Sequence, residues 1–435
     1  MKLVSTRSRA QASTVSDAIV KGIAPDGGLY VPEQFPKLDL SSFAGATELP
    51  QVAERLLAPL LQGDGLATDL SDLLIDAFNF PAPLVPLKNT ASPASVLELF
   101  HGPTSAFKDF GARFLAASMQ KIRRGLDRTL TILVATSGDT GGAVAAAFHR
   151  RPGFKVAVLY PDGLVSQRQA QQLACWGDNV QTFAVKGTFD DCQRMVKEAF
   201  QDPSLAQSHE LSSANSINIG RLLPQMAYYA RASLELWRQD GSKPGFVIPT
   251  GNLGNAVACI WARHLGLPIG DIVLATNANL TVTDYLRTGD WQPRQSVATL
   301  ASAMDVGNPS NVERLRSLYP AIDQVRGQVT AYSVSDAEIR ATIQRDAREL
   351  GQVWCPHTAT AAHVYREKLA AKAGSQHWVL VSTAHPAKFN DIVEPLIGRE
   401  VPVPPALAAL LSLPRQETRL DANLDALRSA LQKDR

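Results

Sequence analysis

Lys108 lies between aromatic residues in Phe107-Lys108-Asp109-Phe110. The preceding Gly102-Pro103-Thr104-Ser105 is a helix-start signal, and Phe110, Phe114 and Ala117, with Leu115, Met119 and Ile122, supply helical spacing behind it. The amine therefore falls in the first turn of a helix, where the dipole and the apolar neighbours both disfavour its charge. A lysine made neutral in this way attacks aldehydes and forms a Schiff base. Taken alone, such a residue also fits a surface lysine whose stem lies along apolar groups.

Two glycine turns supply the context. Thr136-Ser137-Gly138-Asp139-Thr140-Gly141-Gly142 follows an apolar run ending at Ala135 and opens an Ala-rich helical stretch. Successive amides and hydroxyls there make an anion cradle, although a plain turn with an Asp/Thr cap has the same composition. It fits neither the P-loop nor the GxGxxG pattern. Pro249-Thr250-Gly251-Asn252-Leu253-Gly254-Asn255 follows Phe246-Val247-Ile248 and precedes a helical stretch from Ala256 to His264. No Lys or Arg stands in this turn, so main-chain N–H groups would hold a phosphate that stays bound as an anchor. Together, a desolvated lysine, an amide-built phosphate cup and a second anion turn describe a pyridoxal-phosphate site with a pocket for a substrate carboxylate.

The elements that must position these groups follow from periodicity. Short apolar runs at Thr129–Ala135, Lys155–Tyr160, Val180–Val185, Phe246–Ile248, Asp271–Thr276 and His377–Val381 alternate with helical patterns. This predicts α/β architecture with mainly parallel sheets covered on both faces, and ligands at the carboxyl ends of the strands. Thr188 is placed to cap a helix over Phe189–Phe200, and Ser335-Asp336-Ala337-Glu338 has capping-box spacing. Phe80-Pro81-Ala82-Pro83-Leu84-Val85-Pro86-Leu87 cannot continue a helix and marks a boundary near residue 88.

Composition narrows the class. The 435 residues carry a net charge of +2, with 45% apolar and 19% charged residues. A near-zero balance without like-charge runs leaves no electrostatic footprint for nucleic acid or an anionic membrane. The four cysteines (Cys175, Cys192, Cys259 and Cys355) lack metal-ligand spacing and read as buried reduced thiols, so no metal is expected. The N-terminus lacks an apolar leader and no apolar run reaches membrane-spanning length, so a cytoplasmic location is expected.

Four segments resemble the threonine synthase family, within the tryptophan-synthase-β-like, fold-type-II pyridoxal-phosphate enzymes. They are Ser16–Gly22 through Gly27–Pro32, His101–Phe110, Ala135–Gly142 and Ser382-Thr383-Ala384-His385-Pro386-Ala387-Lys388-Phe389, and Ser213–Asn218 matches as well. The resemblance implies two doubly wound α/β domains plus an N-terminal, mostly helical domain. The expected partition is 1–88 for the N-terminal domain, 89–125 with 226–435 for the large cofactor-binding domain, and 126–225 for the small domain.

The resemblance also implies roles. Lys108 would join the cofactor, pyridoxal 5'-phosphate, through its aldehyde, and Gly251, Asn252, Leu253, Gly254 and Asn255 would hold its phosphate. Thr383 would face the pyridine nitrogen. Asp139 stands where many relatives carry Asn beside the cofactor's phenolic oxygen, which leaves its protonation open because two anionic oxygens repel. Ser137, Gly138 and Thr140 would surround the substrate carboxylate. The implied reaction, the last step of threonine biosynthesis, is a carbon–oxygen lyase step. O-phospho-L-homoserine loses phosphate, adds water and becomes L-threonine.

The substrate phosphate needs a second anion site. Ser216, Asn218 and Arg221 are candidates because Arg offers bidentate donors, with Lys186, Arg168 and Arg113 as rivals. Arg221 also suits a helix-face salt bridge. His385, before Pro386, reads as a hydrogen-bonded structural residue, and Tyr228-Tyr229 as core. The expected partner is a small-molecule substrate, with no nucleic acid or membrane, for a monomer or homodimer. Rival readings are a serine/threonine dehydratase or cysteine synthase of the same architecture, or a non-catalytic sensor of phosphorylated hydroxy acids.

Overall fold

The apolar runs become strands of two parallel sheets in the computed structural model, which describes residues 1–9, 12–371 and 376–432. Thirteen strands are formed among the described residues. β1 (Leu3–Ser5) and β2 (Tyr30–Pro32) pair antiparallel as a small N-terminal ribbon. β3 (Leu84–Pro86), β4 (Ala94–Glu98), β9 (Gly245–Pro249), β10 (Ile272–Thr276), β11 (Thr330–Ser333) and β12 (Trp378–Ser382) form a six-stranded sheet in the order β11-β10-β9-β12-β4-β3. Only β3 runs antiparallel in it. β5 (Leu130–Ala135), β6 (Phe154–Pro161), β7 (Val180–Lys186), β8 (Glu210–Ser213) and β13 (Thr418–Asp421) form a second sheet, ordered β13-β7-β6-β5-β8 and wholly parallel.

The central strands are buried end to end. β5, β9, β10 and β12 have no exposed residue, as strands covered by helices on both faces require. The expected caps form: Thr188 and Ser335 each close a capping box. Tyr228 and Tyr229 are fully buried in a helix over Met226–Asp240, and all four cysteines are free and buried.

Two boundaries differ from the sequence reading. Leu84–Pro86, placed in the N-terminal domain, is an edge strand of the large sheet, where prolines cost no ladder bond. Thr418–Asp421, placed with 226–435 in the large domain, pairs with β7 of the small sheet, and the helix Leu424–Gln432 packs on that same side. The small sheet would otherwise present β7 as a bare edge, and the returning tail covers it. The first 77 residues supply helices Leu49–Leu57 and Leu70–Ala77, and their apolar residues share one continuous core with the helix Lys108–Ile122.

Candidate active site

The carboxyl ends of adjacent strands deliver the predicted residues. In the large sheet, β9 leads into the 250–255 turn, its neighbour β12 into Thr383, and β4 beyond that into the 99–107 segment before Lys108. In the small sheet, β5 leads into the 136–142 turn and its neighbour β8 into the loop holding Ser216 and the short helix that carries Arg221. This is where open parallel sheets bind ligands.

Lys108 is the first residue of its helix, as the Gly-Pro-Thr-Ser signal predicted. The segment before it pairs with the Thr383 segment: Phe107 N–H donates to Thr383 O at 2.8 Å and His385 N–H to Ser105 O at 3.0 Å. The Lys108 amine lies 4.4 Å from the Phe107 ring centroid and has no carboxylate partner among the described residues. Burial, then the Arg221 guanidinium, push its pKa down to about 8, against a smaller upward pull from Asp139. Arg221 comes so close because Gly111, three residues along the same helix face, has no side chain; a Cβ there would lie 2.9 Å from Arg221 Nε.

The 251–255 turn is an amide cup. Leu253 adopts φ 59° as the N-cap of the helix Gly254–His264. Among the described residues, none of the N–H groups of Gly251 through Asn255 donates to another protein atom. The Asn side chains do not fill the cup. Asn252 Nδ2 donates to Ser216 Oγ at 2.7 Å and its Oδ1 accepts from Ser310 N–H, while Asn255 caps locally on Pro249 O, Thr250 Oγ1 and Ala256 N–H. Free amides at a helix N-terminus fit a phosphate.

The 136–142 turn is tied from within by Thr136 Oγ1, which accepts from Gly138 N–H at 3.0 Å and Gly141 N–H at 2.9 Å. Gly138 holds φ 138°, a conformation that only glycine adopts without strain. The hydroxyls of Ser137 and Thr140, both half-buried, and the N–H groups of Ser137, Asp139 and Thr140 have no protein partner among the described residues.

Asp139 is resolved by a residue that the sequence reading did not single out. Lys388 Nζ lies 2.8 Å from Asp139 Oδ1, and Gln169 Nε2 donates to the same oxygen at 3.1 Å. Burial alone would raise this carboxyl's pKa, but the Lys388 ammonium, with His357 and Gln169, holds it below the usual value. Asp139 is therefore an ionised member of an ion pair. Lys388 stood within the quoted 382–389 string, but nothing local in that string names a partner 249 positions away.

The second anion group divides. Arg221 is buried, donates to Ala214 O, and leaves Nε without a partner; no carboxylate pairs with it among the described residues, so the helix-face salt bridge does not form. Asn218 leaves the candidate set. It is fully buried, it caps the helix Ile219–Leu222 through Gly220 N–H, and its amide donates to Ile19 O and Ser213 O. Ser216 braces Asn252 and also accepts from Asn311 Nδ2 at 3.3 Å. The rivals are spent elsewhere: Lys186 on Asp421, Arg168 on Ala387 O, and Arg113 on Asp76 and Ala77.

His385 is the structural residue expected, its Nδ1 accepting from Ala387 N–H. His357 and Met304 were not foreseen. Met304 backs Gly251, and neighbouring Ala303 N–H donates to His357 Nε2 at 3.0 Å, which ties the cup's backing loop to the Asp139 region. Their positions depend on long-range packing that no motif announces.

A partnerless amine depressed toward neutrality, an amide cup and an orphaned buried guanidinium together fit a phosphorylated aldehyde cofactor beside a second anion. Residues 75–384 match the family described as pyridoxal-phosphate dependent enzyme. Residues 2–78 match the threonine synthase N terminus family, and residues 358–431 the threonine synthase C-terminal family. Threonine synthase of Haemophilus influenzae is 39% identical over 100% of both chains. The crystal structure of threonine synthase from Escherichia coli superposes with a TM-score of 0.90 at 36% identity over 100% of both chains. A pyridoxal-phosphate-bound threonine synthase from Brucella melitensis also superposes at 0.90, with 33% identity over 100% of this chain and 99% of that one. The chain belongs to the threonine synthase family of pyridoxal-phosphate enzymes.

Proposed function

We propose that the chain converts O-phospho-L-homoserine and water into L-threonine and phosphate at the site built on Lys108. The carrying observation is the Lys108 amine: pushed down to about 8, in no ion pair among the described residues, and set beside the buried Arg221 guanidinium, whose Nε has no partner. Pyridoxal phosphate, when bound, supplies an electron sink for negative charge at the substrate Cα.

The residues around it divide the remaining work. Lys108 holds the cofactor and, once released, moves protons at Cα and Cβ, for which an amine near neutrality is suited. The amides of Gly251 to Asn255 would anchor the cofactor phosphate, and the Thr383 hydroxyl would serve the ring nitrogen. A neutral hydroxyl there would leave the ring nitrogen largely unprotonated, so the ring would withdraw charge less strongly than beside a carboxylate, which favours elimination and replacement. Ser137, Gly138 and Thr140 receive the substrate carboxylate. Arg221 binds the leaving phosphate through donors that nothing else uses. Ser216 acts through Asn252, as a brace for the cup.

No helix among the described residues is long and apolar enough to cross a membrane. The small-molecule chemistry and reduced thiols support a cytoplasmic monomer or homodimer without a nucleic-acid partner. The test is the visible absorption of purified protein before and after borohydride, with Lys108→Ala as control, followed by phosphate release from O-phospho-L-homoserine against deamination of threonine. Coloured protein, bleached and trapped only when Lys108 is present, with phosphate release dominant, is the expected result. Protein that stays colourless in excess cofactor, or dominant deamination, overturns the reading. Arg221→Ala should raise KM for the phosphorylated substrate about 100-fold with a much smaller effect on cofactor affinity; equal effects remove Arg221 from this role.

A further inference from the structure

Asp139 poses a problem that the reaction does not explain. It is 6% exposed and ionised, in the first turn of the helix Asp139–Phe148, within the turn read as the carboxylate receptor. A buried carboxylate there uses the same positive helix end that an incoming anion needs, and it repels that anion in a medium of low dielectric. An asparagine would give the same shape without the conflict.

The compensating charge comes from the other sheet. Lys388 is 1% exposed and follows β12, whereas Asp139 follows β5. Besides the 2.8 Å contact with Asp139, its Nζ donates to Thr104 O at 2.7 Å. Thr104 is itself fixed by Asp109, which accepts from its N–H at 2.8 Å and its hydroxyl at 2.7 Å. The Lys388 main chain is also pinned, with its carbonyl accepting from Ser166 Oγ at 3.0 Å. The ammonium is thus held between the segment before Lys108 and the anion turn.

We propose that Lys388 is a positioning residue: its ammonium neutralises Asp139, so that the 136–142 turn can receive the substrate's α-carboxylate. The pair presents the turn with no net charge, while Oδ1 stays turned to Lys388 and Gln169. The proposal rests on the carboxylate reading of that turn.

The test compares calorimetric affinities of the holoenzyme for L-threonine in wild type, Lys388→Met and the double variant Lys388→Met/Asp139→Asn, from about pH 6 to about pH 9. Four titratable groups face Asp139: Lys388 from the 386–389 turn, Lys108 from its helix start, and Cys355 and His357 from the helix Pro356–Val364 and its N-cap. Asp109 and His385 face Lys388 as well; burial pushes Asp109 up to about 6 and His385 down to about 4, so Asp109 titrates at the acid end, in the single and the double variant alike because both lack Lys388. Burial pushes His357 down to about 4 and raises the Cys355 thiol, so neither changes charge in the window. Lys108, freed when the L-threonine amine takes its place on the cofactor, titrates in this window in every variant, and its two larger determinants, burial and Arg221, are unchanged in all of them. The amine of L-threonine titrates identically for every variant, so the ratio to wild type is read at each pH.

Lys388→Met should weaken binding about tenfold at the alkaline end. The gap should close as pH falls, because Asp139 without its cation has a raised pKa and protonates. The double variant should stay within about threefold of wild type at every pH, since both charges are gone. A purely structural pair would give a loss independent of pH. That result, or binding by Lys388→Met equal to wild type throughout, overturns the proposal. Should Lys388→Met fail to fold, Asp139→Asn decides: with the ammonium kept and the carboxylate gone, L-threonine should bind as tightly as in wild type or more so, and weaker binding overturns the proposal. Wild-type holoenzyme that does not bind L-threonine, or Thr140→Ala that does not weaken it, shows instead that the carboxylate reading is wrong, and the proposal falls with it.

Discussion

The two anion turns have the same construction, a buried parallel strand running through glycines into a helix, but they are held in opposite ways. The 251–255 cup is braced from outside by neutral groups: Ser216, Asn311 and Ser310 hold Asn252, and the Met304 backbone backs Gly251. The 136–142 turn is tied by its own Thr136 and carries a charge that Lys388 balances from beyond the end of the other sheet. A cup that keeps one phosphate permanently gains from rigid surroundings. A turn that takes up and releases a carboxylate at every turnover needs its own hydroxyls and amides free and its electrostatics already balanced.

The largest expected effect tests the rigid side. An added Cβ at Gly251 would lie 2.6 Å from Met304 Cα and 2.8 Å from Met304 O, backbone atoms that cannot swing away. Gly251→Ala should cost about 3 kcal/mol at the cup and lower cofactor affinity about 100-fold. Spectroscopic titration of apoenzyme measures it, and an affinity within about threefold of wild type would dissolve the contrast. On the other side, a Cβ at Gly138 meets the Gln169 side-chain amide at 2.4 Å. That amide is the end of a side chain, held by Asp139 and Ser166 but not backbone, so Gly138→Ala should raise KM for the phosphorylated amino acid about tenfold, through the strained φ and a displaced Gln169, with a much smaller effect on cofactor affinity. Loss of cofactor instead would mean that the two turns are not separable.

A third, smaller effect concerns the amine between them. Burial and then Arg221 lower Lys108 to about 8 from the ordinary 10.5, so capture of the cofactor aldehyde by apoenzyme should accelerate with pH and level off above about 8, where the amine is neutral. Removing the neighbouring cation stabilises the ammonium and raises its pKa. Arg221→Met should therefore move the midpoint of the pH–rate profile upward by about one unit. An unmoved midpoint would leave burial as the sole cause.

How much of this could be read from the chain alone depended on range. Strands such as Leu130–Ala135 and Ile272–Thr276 are short apolar runs with turn residues at their ends, and the periodicity located them within a residue. The Thr188 and Ser335 caps and the Lys108 helix start are local chemistry and were equally legible. What escaped is long-range. Thr418–Asp421 is four residues, three of them exposed, and becomes a strand only because β7 offers an edge. Asn218 looked like a ligand because its role depends on the carbonyls of Ile19 and Ser213, which only the fold brings near. Lys388 and Asp139 meet because the carboxyl ends of two sheets face each other.

The smallest expected effect discriminates by its absence. Lys186 ends β7 and is a rival for the substrate phosphate, but its side chain is 64% exposed and reaches Asp421 at 3.1 Å on the tail strand. An exposed pair of this kind contributes about 0–1 kcal/mol, and salt screens it further. Lys186→Ala should leave KM for the phosphorylated substrate within about twofold of wild type and lower thermal stability only slightly, through the tail it helps to pin. A rise in KM as large as that of Arg221→Ala would put a functional phosphate site on the outer edge of the small sheet. Burial would then be a poor guide to anion binding in this molecule, because Arg221 is chosen over Lys186 for its buried, unpaired Nε and not for its charge.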